Sequence, residues 1–241
     1  GTLRAAFASA GARLSGEIAA VAIDREGRLL VGGSFANLGN AAGGNLARFR
    51  ADGALDASFT PAPNGAFTGI IVQPDGRIVV TGSFTTVGGT ARNRMARIDN
   101  NGSLDVTFDP GANARIAGIV RQTDGKFVVG GDFTSFTPNL TSTSVARNYL
   151  ARVNEDGTID ANYNPSPSAS VNGLALQADG KVVAVGSFNS LVPNATSTAV
   201  TRNYVARLNS DGSLDQNFNP NASGPVNAVV ALTNGQFLLG G

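Results

Sequence analysis

Short runs of apolar and β-branched residues alternate along the chain with polar clusters carrying Gly, Asn and Asp, and the alternation recurs. One column stacks "REGRLLVGGSF" (25–35), "PDGRIVVTGSF" (74–84), "TDGKFVVGGDF" (123–133), "ADGKVVAVGSF" (178–188) and "TNGQFLLGG" (233–241). Its turn glycines, Gly27, Gly76, Gly125, Gly180 and Gly235, are spaced by 49, 49, 55 and 55 residues. A second column lies between them: "LARFRADGALDASF" (46–59), "MARIDNNGSLDVTF" (95–108), "LARVNEDGTIDANY" (150–163) and "VARLNSDGSLDQNF" (205–218). The opening "GTLRAAF" (1–7) is a fifth copy of that column's tail. Self-similarity at such a period marks a repeat architecture.

Each repeat predicts four strands. Strand a is a short apolar run such as Ile70–Val72, closed by a two-residue Asp-Gly turn, a strong hairpin signal. Strand b is continuous and apolar (Leu29–Val31, Ile78–Val80, Phe127–Val129), as suits a strand covered on both faces. Strand c is the "ARxN" segment and strand d the "SLDxxF" segment, joined by a three-residue "xDG" turn, typical of a hairpin with a glycine bulge. Pro61, Pro110, Pro165 and Pro220 stop strand d, because proline cannot extend a ladder. Four short strands per unit, in tandem, is the arithmetic of a β-propeller. Small residues at the start of every strand a (Ala19-Ala20, Thr68-Gly69, Ala117-Gly118) suit the crowded axis of such a fold.

The expectation is an all-β, five-bladed β-propeller of four-stranded antiparallel blades, with the last blade incomplete for want of strand c. Residues 1–241 form one domain in this reading. Residues 1–12 are the closing outer strand, and 13–64, 65–114, 115–169 and 170–224 are four blades. Residues 225–241 are the first two strands of the fifth. The sequence begins at a turn glycine and stops inside a strand, so it reads as a piece of a longer repeat protein.

The motifs in 74–112, "PDGRIVVTGSF…ARNRMARIDNNGSLDVTFDPGA", resemble the bacterial delta-60 repeat family, a tandem-repeat β-propeller of unknown function. The resemblance covers essentially the whole chain. It implies a secreted or cell-surface bacterial protein and brings no catalytic residues with it. Two departures weaken the symmetry at the N-terminal end: Gly43-Gly44-Asn45 in place of Arg-Asn, and Arg4 in place of Asp.

Composition then narrows the chemistry. The chain has no Cys, no His and no Trp, which removes thiol nucleophiles, the commonest general base and the commonest transition-metal ligands. Lys+Arg 18 against Asp+Glu 17 gives no basic footprint for nucleic acid, and no apolar run is long enough for a membrane-spanning helix. Only Lys126 and Lys181 are lysines. Paired carboxylates are the remaining catalytic device. Eleven of the seventeen acids, however, recur before turn glycines or in the "LD" column. Recurrence in every repeat argues for bracing, so the chain is expected not to be an enzyme.

Arg48, Arg97, Arg152 and Arg207 sit across a hairpin from Asp56, Asp105, Asp160 and Asp215. Bidentate pairs there would pin strands c and d or link neighbouring blades. The Asp-rich turns offer oxygens for Ca²⁺ but lack the full calcium-loop spacing and its closing Glu, so Asx-turn chemistry explains them more simply and no metal or cofactor is expected. The functional lead is a six-residue expansion of the b–c loops in the third and fourth repeats, "TSFTPNLTSTSVARN" (134–148) and "NSLVPNATSTAVTRN" (189–203). One-sided insertions in repeat proteins mark binding faces. Candidate binding residues are Asn139, Thr141, Arg147 and Tyr149, with Asn194, Thr196, Arg202 and Tyr204. The expected role is a non-enzymatic extracellular or cell-surface interaction and adhesion scaffold, with a protein or glycan partner. The alternatives are a carbohydrate-binding lectin-like propeller, and a structural subunit that self-associates through open strand edges of the incomplete blade.

Overall fold

The computed structural model describes residues 14–38, 41–42, 45–141, 143–195 and 198–241. The expected closing strand 1–12, with Arg4, and Gly43, Gly44 and Thr196 lie outside these. The chain divides into two compact units, Gly1–Phe108 and Asp109–Gly241. Both are built from antiparallel hairpins with no α-helix among the described residues.

The first unit holds two repeats. β1 (Leu14–Ile23), β2 (Leu29–Leu38) and β3 (Leu46–Phe49) form one sheet with β2 in the centre. β4 (Phe67–Val72), β5 (Ile78–Gly82) and β6 (Met95–Ile98) form the next in the same order. The second unit holds β7 (Ile116–Arg121), β8 (Phe127–Gly131) and β9 (Leu150–Val153). β10 (Val171–Leu176), β11 (Val182–Gly186) and β12 (Val205–Leu208) follow, then the hairpin β13 (Ala228–Ala231) and β14 (Phe237–Gly240). The central strands β5, β8 and β11 are buried at every residue, which is why they read as unbroken apolar runs rather than as an alternating pattern.

Each unit has its own core. In the first, Leu30, Phe67, Ile78, Val80, Phe84 and Ile98 pack together. In the second, Val128, Tyr163, Val171, Val182, Phe188 and Leu208 do so.

Two local expectations are corrected. The hairpin turns between the first and second strands are not two-residue turns. Gln73 N–H donates to the Arg77 carbonyl and Gly76 N–H to the Gln73 carbonyl, so three residues form the loop. A two-residue type I′ turn needs positive φ at both centres. Here Gly76 is left-handed (φ 87°) and Asp75 is not. The second correction concerns strand d, which shrinks to a single bridge in each repeat: Phe49 to Leu55, Ile98 to Leu104, Val153 to Ile159 and Leu208 to Leu214. The Asp that follows ends the ladder. Its carboxylate accepts the N–H two residues on (Asp105 from Thr107, 2.9 Å), and its carbonyl accepts the N–H of Phe108. The "LDxxF" segment is therefore a tight turn that throws its aromatic residue back onto the sheet.

The glycine that closes the apolar run of each central strand has a steric cause. The first strand bulges over it, with a register shift between Phe67 and Gly69 and equivalents in the other repeats. A Cβ on Gly82, Gly131 or Gly186 would collide with the carbonyl of Ala66, Arg115 or Ser170. Gly131→Ala is expected to destabilise the chain by about 3 kcal/mol, the upper range for overpacking. Gly224→Ala, where a Cβ meets nothing within 4 Å, should stay within about 0.5 kcal/mol. Urea unfolding of the two variants checks the contrast.

Candidate functional site

The charged side chains gather around the LDxxF turn. In the third repeat, Arg152 on β9 points its fork at Asp160: Nε and Nη2 lie 3.0 and 2.9 Å from Oδ2. Its Nη1 donates to the Gln122 side-chain oxygen (3.2 Å) and to the carbonyl of Ser210 in the next repeat's turn. The guanidinium face covers the Tyr163 ring at 4.5 Å. The same set recurs. Arg48 bonds Asp56 (2.7 Å), lies over Phe59 at 4.3 Å and reaches the Asn100 carbonyl of the second repeat. Arg97 bonds Asp105 (2.7 Å) over Phe108, and Arg207 bonds Asp215 (3.0 Å) over Phe218. A planar fork with an aromatic-compatible face serves all three contacts, which an ammonium cannot do.

Three of the four Asp residues also meet a base from the hairpin beside them: Arg77 on Asp105 (3.3 Å), Lys126 on Asp160 (2.8 Å) and Lys181 on Asp215 (2.9 Å). Both lysines of the chain thus have the same task. Burial raises the Asp105 carboxyl, but hydrogen bonds from Thr107 and Arg97 outweigh it and hold its pKa at about 2. In Asp160 burial is likewise outweighed, by Lys126, the Asn162 N–H and Arg152, again to about 2. The Ser58 hydroxyl and Arg48 lower Asp56, and Lys181 leads the lowering of Asp215.

A second arginine grips the same turn from its carbonyl side. Arg147 donates to the carbonyls of Ala146 (2.7 Å), Asp160 (3.0 Å) and Ala161 (3.3 Å). Arg202 donates to Thr201 (2.8 Å), Gln216 (3.2 Å) and Phe218 (3.1 Å), and Arg92 to Ala91 and Val106. All three arginines are buried.

The b–c loops therefore present less than their sequence offers. Arg147 and Arg202 lie inside, directed at backbone carbonyls. Tyr149 and Tyr204 are half-buried and left-handed (φ 61° and 64°), the conformation that sets the third strand against the glycine pair. Their carbonyls accept the N–H of Gly131 and Gly186, each at 3.0 Å. Asn139 and Asn194 are exposed and left-handed at the head of 3₁₀ turns, Pro138–Leu140 and Pro193–Ala195. Their side-chain oxygens accept the N–H of Asp109 (3.3 Å) and Asn164 (3.2 Å). Thr141 is exposed, and its hydroxyl donates to the Thr143 carbonyl (3.3 Å).

A further column escaped the sequence reading. Asn64 accepts the N–H of Thr85 and Thr86 (2.8 and 2.9 Å), and Asn113 does the same for Thr134 and Ser135. Ser168 substitutes for them with its hydroxyl at Asn189 and Ser190. These residues stitch the entry to each repeat onto its b–c loop. Their fixed distance before strand a, with Asn or Ser at the same column, was the available signal.

Two kinds of cleft remain open. One, of about 430 Å³, lies under the fourth repeat's long loop and is lined by Pro193, Asn194, Thr198, Val200, Ser213, Leu214 and Gln216. Others recur between adjacent hairpin turns, as with Gln122, Asp124, Arg152, Gly180, Ser210 and Asp211 around about 360 Å³. Among the described residues no three Asp or Glu side chains converge as a cation site.

Residues 27–59, 73–108, 122–163 and 177–218, more than half of the chain, match the family model described as "Domain of unknown function (DUF5122) beta-propeller". No curated protein matches the chain. A virginiamycin B lyase from Staphylococcus aureus superposes with a TM-score of 0.61 at 14% identity, covering 95% of this chain and 67% of that one. A gluconolactonase from Xanthomonas campestris does so with 0.53 at 17%, covering 92% and 68%. The WD40 β-propeller domain of Doa1 gives 0.55 at 16%, covering 94% and 76%. At such identities the likeness shows the fold alone, which is all-β and propeller-like.

Three outcomes follow from the turn clamp. Arg152→Ala removes the bidentate partner of Asp160 but leaves Lys126 on it, and should cost about 2–3 kcal/mol, with Arg152→Lys recovering less than half. Tyr163 alone carries a hydroxyl in a column otherwise of Phe; burial pushes its pKa up, and the hydroxyl meets no partner among the described residues. Tyr163→Phe should therefore stabilise the chain by about 1 kcal/mol in urea unfolding. The Asp carboxyls titrate lower folded than unfolded. Their contribution is thus complete above the unfolded range near pH 4 and is lost as pH falls toward about 2. A melting-temperature series from pH 7 to pH 2 should be flat above about pH 5 and fall steeply below 4.

Proposed function

The chain belongs to the DUF5122 β-propeller family, and on that footing we propose that it is a non-enzymatic interaction scaffold. The finer architecture we infer is five blades, with β13 and β14 as the first two strands of the fifth. The observation that supports the role is where the charge goes. The Asp of each LDxxF turn is held by an arginine, as in Arg152 to Asp160 and Arg207 to Asp215. Lys126 and Lys181 are directed at the same carboxylates. Carboxylates held near pKa 2 by cations are poor general bases at neutral pH. We place the protein outside the cell or on a bacterial surface, in keeping with the repeat resemblance. One distant propeller neighbour, at 16% identity, is an extracellular domain of a one-component system from B. thetaiotaomicron. Adhesion to a protein or glycan is the corresponding role.

A lectin-like reading draws on the cleft of about 430 Å³ beneath the long loop, where Asn194, Thr198, Ser213 and Gln216 offer hydroxyl-binding groups. A structural-subunit reading draws on β14, which pairs with β13 alone among the described residues. No cofactor is part of either reading.

Two panels test the scaffold. Purified chain incubated with lactones, esters and glycosides should give no turnover above buffer. Turnover that disappears in a folded Asp→Asn variant would overturn the reading. On a glycan array, binding abolished by Thr198→Ala with Gln216→Ala would move the role to the lectin-like one, and an array without signal would remove that alternative.

A further inference from the structure

Asparagine stands before glycine at Asn64, Asn101, Asn172 and Asn234. Such a pair is chemically labile, because the main-chain nitrogen of the next residue reaches the asparagine Cγ with no Cβ in its way. The fold holds the four differently. The Asn64 amide nitrogen donates to the Thr85 hydroxyl (2.8 Å), and its oxygen accepts the N–H of Thr85 and Thr86. Asn172 lies in β10 with its amide nitrogen on the Asn227 side chain (3.0 Å), and Asn234 donates to Gln236 (2.7 Å). Asn101 is exposed. Its oxygen accepts the Ser103 N–H (2.9 Å), and its amide nitrogen has no hydrogen-bond partner among the described residues.

The column around Asn101 is otherwise acidic. The same place in the other three repeats carries Asp52, Asp156 and Asp211. Each of these accepts the N–H two residues on at 2.9 Å, as Asn101 does, so the turn has one shape with an acid or an amide. The acid form gains more. The Thr158 and Ser213 hydroxyls also donate to Asp156 (2.6 Å) and Asp211 (2.7 Å). Ser213 leads the lowering of the Asp211 carboxyl, and the Arg152 guanidinium of the preceding repeat adds to it. Asn101 has Ser103 in the place of Ser213. Arg48, which reaches the Asn100 carbonyl, has the place of Arg152.

We propose that Asn101–Gly102 is a site of spontaneous deamidation, at which the chain converts its one amide turn in this column to the acid form of the other three. Gly102 N–H is first released from the Asp99 carbonyl (2.9 Å), a local opening of an exposed turn. The Gly102 nitrogen then bonds to the Asn101 Cγ and gives up its proton, while the bond from Cγ to the amide nitrogen breaks and ammonia leaves. The product is a five-membered succinimide. Solvent water opens it, placing hydroxyl on a ring carbonyl carbon and a proton on the Gly102 nitrogen. Opening at Cγ leaves aspartate, and opening at the main-chain carbonyl leaves isoaspartate. One water is consumed and one ammonia released, and the formal net charge of +1 falls by one. Aspartate there gains the Ser103 hydroxyl as a donor and comes under Arg48, which ties the second repeat more firmly to the first.

The test keeps the full chain for weeks at mildly alkaline pH and reads the digested protein by tandem mass spectrometry. The acid mass is expected at position 101 about five-fold faster than at 64, 172 or 234, the factor set by one amide hydrogen bond that need not break. Conversion at 101 no faster than at those three overturns the assignment. Asn101→Gln should abolish it, since glutamine would have to close a six-membered ring. Conversion that persists in this variant lies at Asn100 and overturns the assignment too. Asn101→Asp should melt no lower than the parent chain, and a lower melting temperature contradicts the fit of the acid to the turn.

Discussion

The repeat depends on holding one turn, and two buried arginines do so. LDxxF must reverse direction at once so that its aromatic residue can cover the sheet. A reversal leaves a carboxylate on one side and several backbone carbonyls on the other. Arg152 and its counterparts occupy the first side, and Arg147 and its counterparts the second. In Arg152 all three guanidinium nitrogens donate, to Asp160, Gln122 and the Ser210 carbonyl, and the flat face still stacks on Tyr163. The same group then reaches the turn of the following repeat, as Arg48 does at Asn100 and Arg152 at Ser210. Seven of the sixteen arginines in the chain serve these turns.

In each of the four described LDxxF turns an arginine and an aspartate are drawn into the clamp. The two long b–c loops look rich in ligand groups, yet their best donors, Arg147 and Arg202, are buried and their asparagines cap neighbouring backbone.

Periodicity made most of the fold legible. The runs Ile78–Val80 and Phe127–Val129 sit in central strands, and the spacing of Gly76 and Gly102 set both hairpins. Turn length was legible in the second hairpin, a three-residue loop in which Arg50 N–H donates to the Ala54 carbonyl, but not in the first, because Asp-Gly serves two- and three-residue loops alike and only the sign of φ at Asp75 separates them. "SLDxxF" read as a strand because alternation over so few residues cannot distinguish a ladder from a turn closed by an Asp side chain. The Arg and Asp columns were visible as columns, but the aromatic partner eleven residues after each Arg was hidden inside that misread strand. For the loops the difficulty was burial: nothing local in "ARN" tells an exposed ligand donor from an arginine lying under a turn.

If both arginines hold one turn, their losses cannot be independent. A double-mutant cycle on Arg147→Met and Arg152→Met, by urea unfolding at pH 7, measures this directly. The clamp predicts that the double variant loses less stability than the two single losses combined, by at least about 1 kcal/mol, because the turn is already released by the first change. Additivity within about 0.5 kcal/mol would show that the two arginines act separately and would contradict the account.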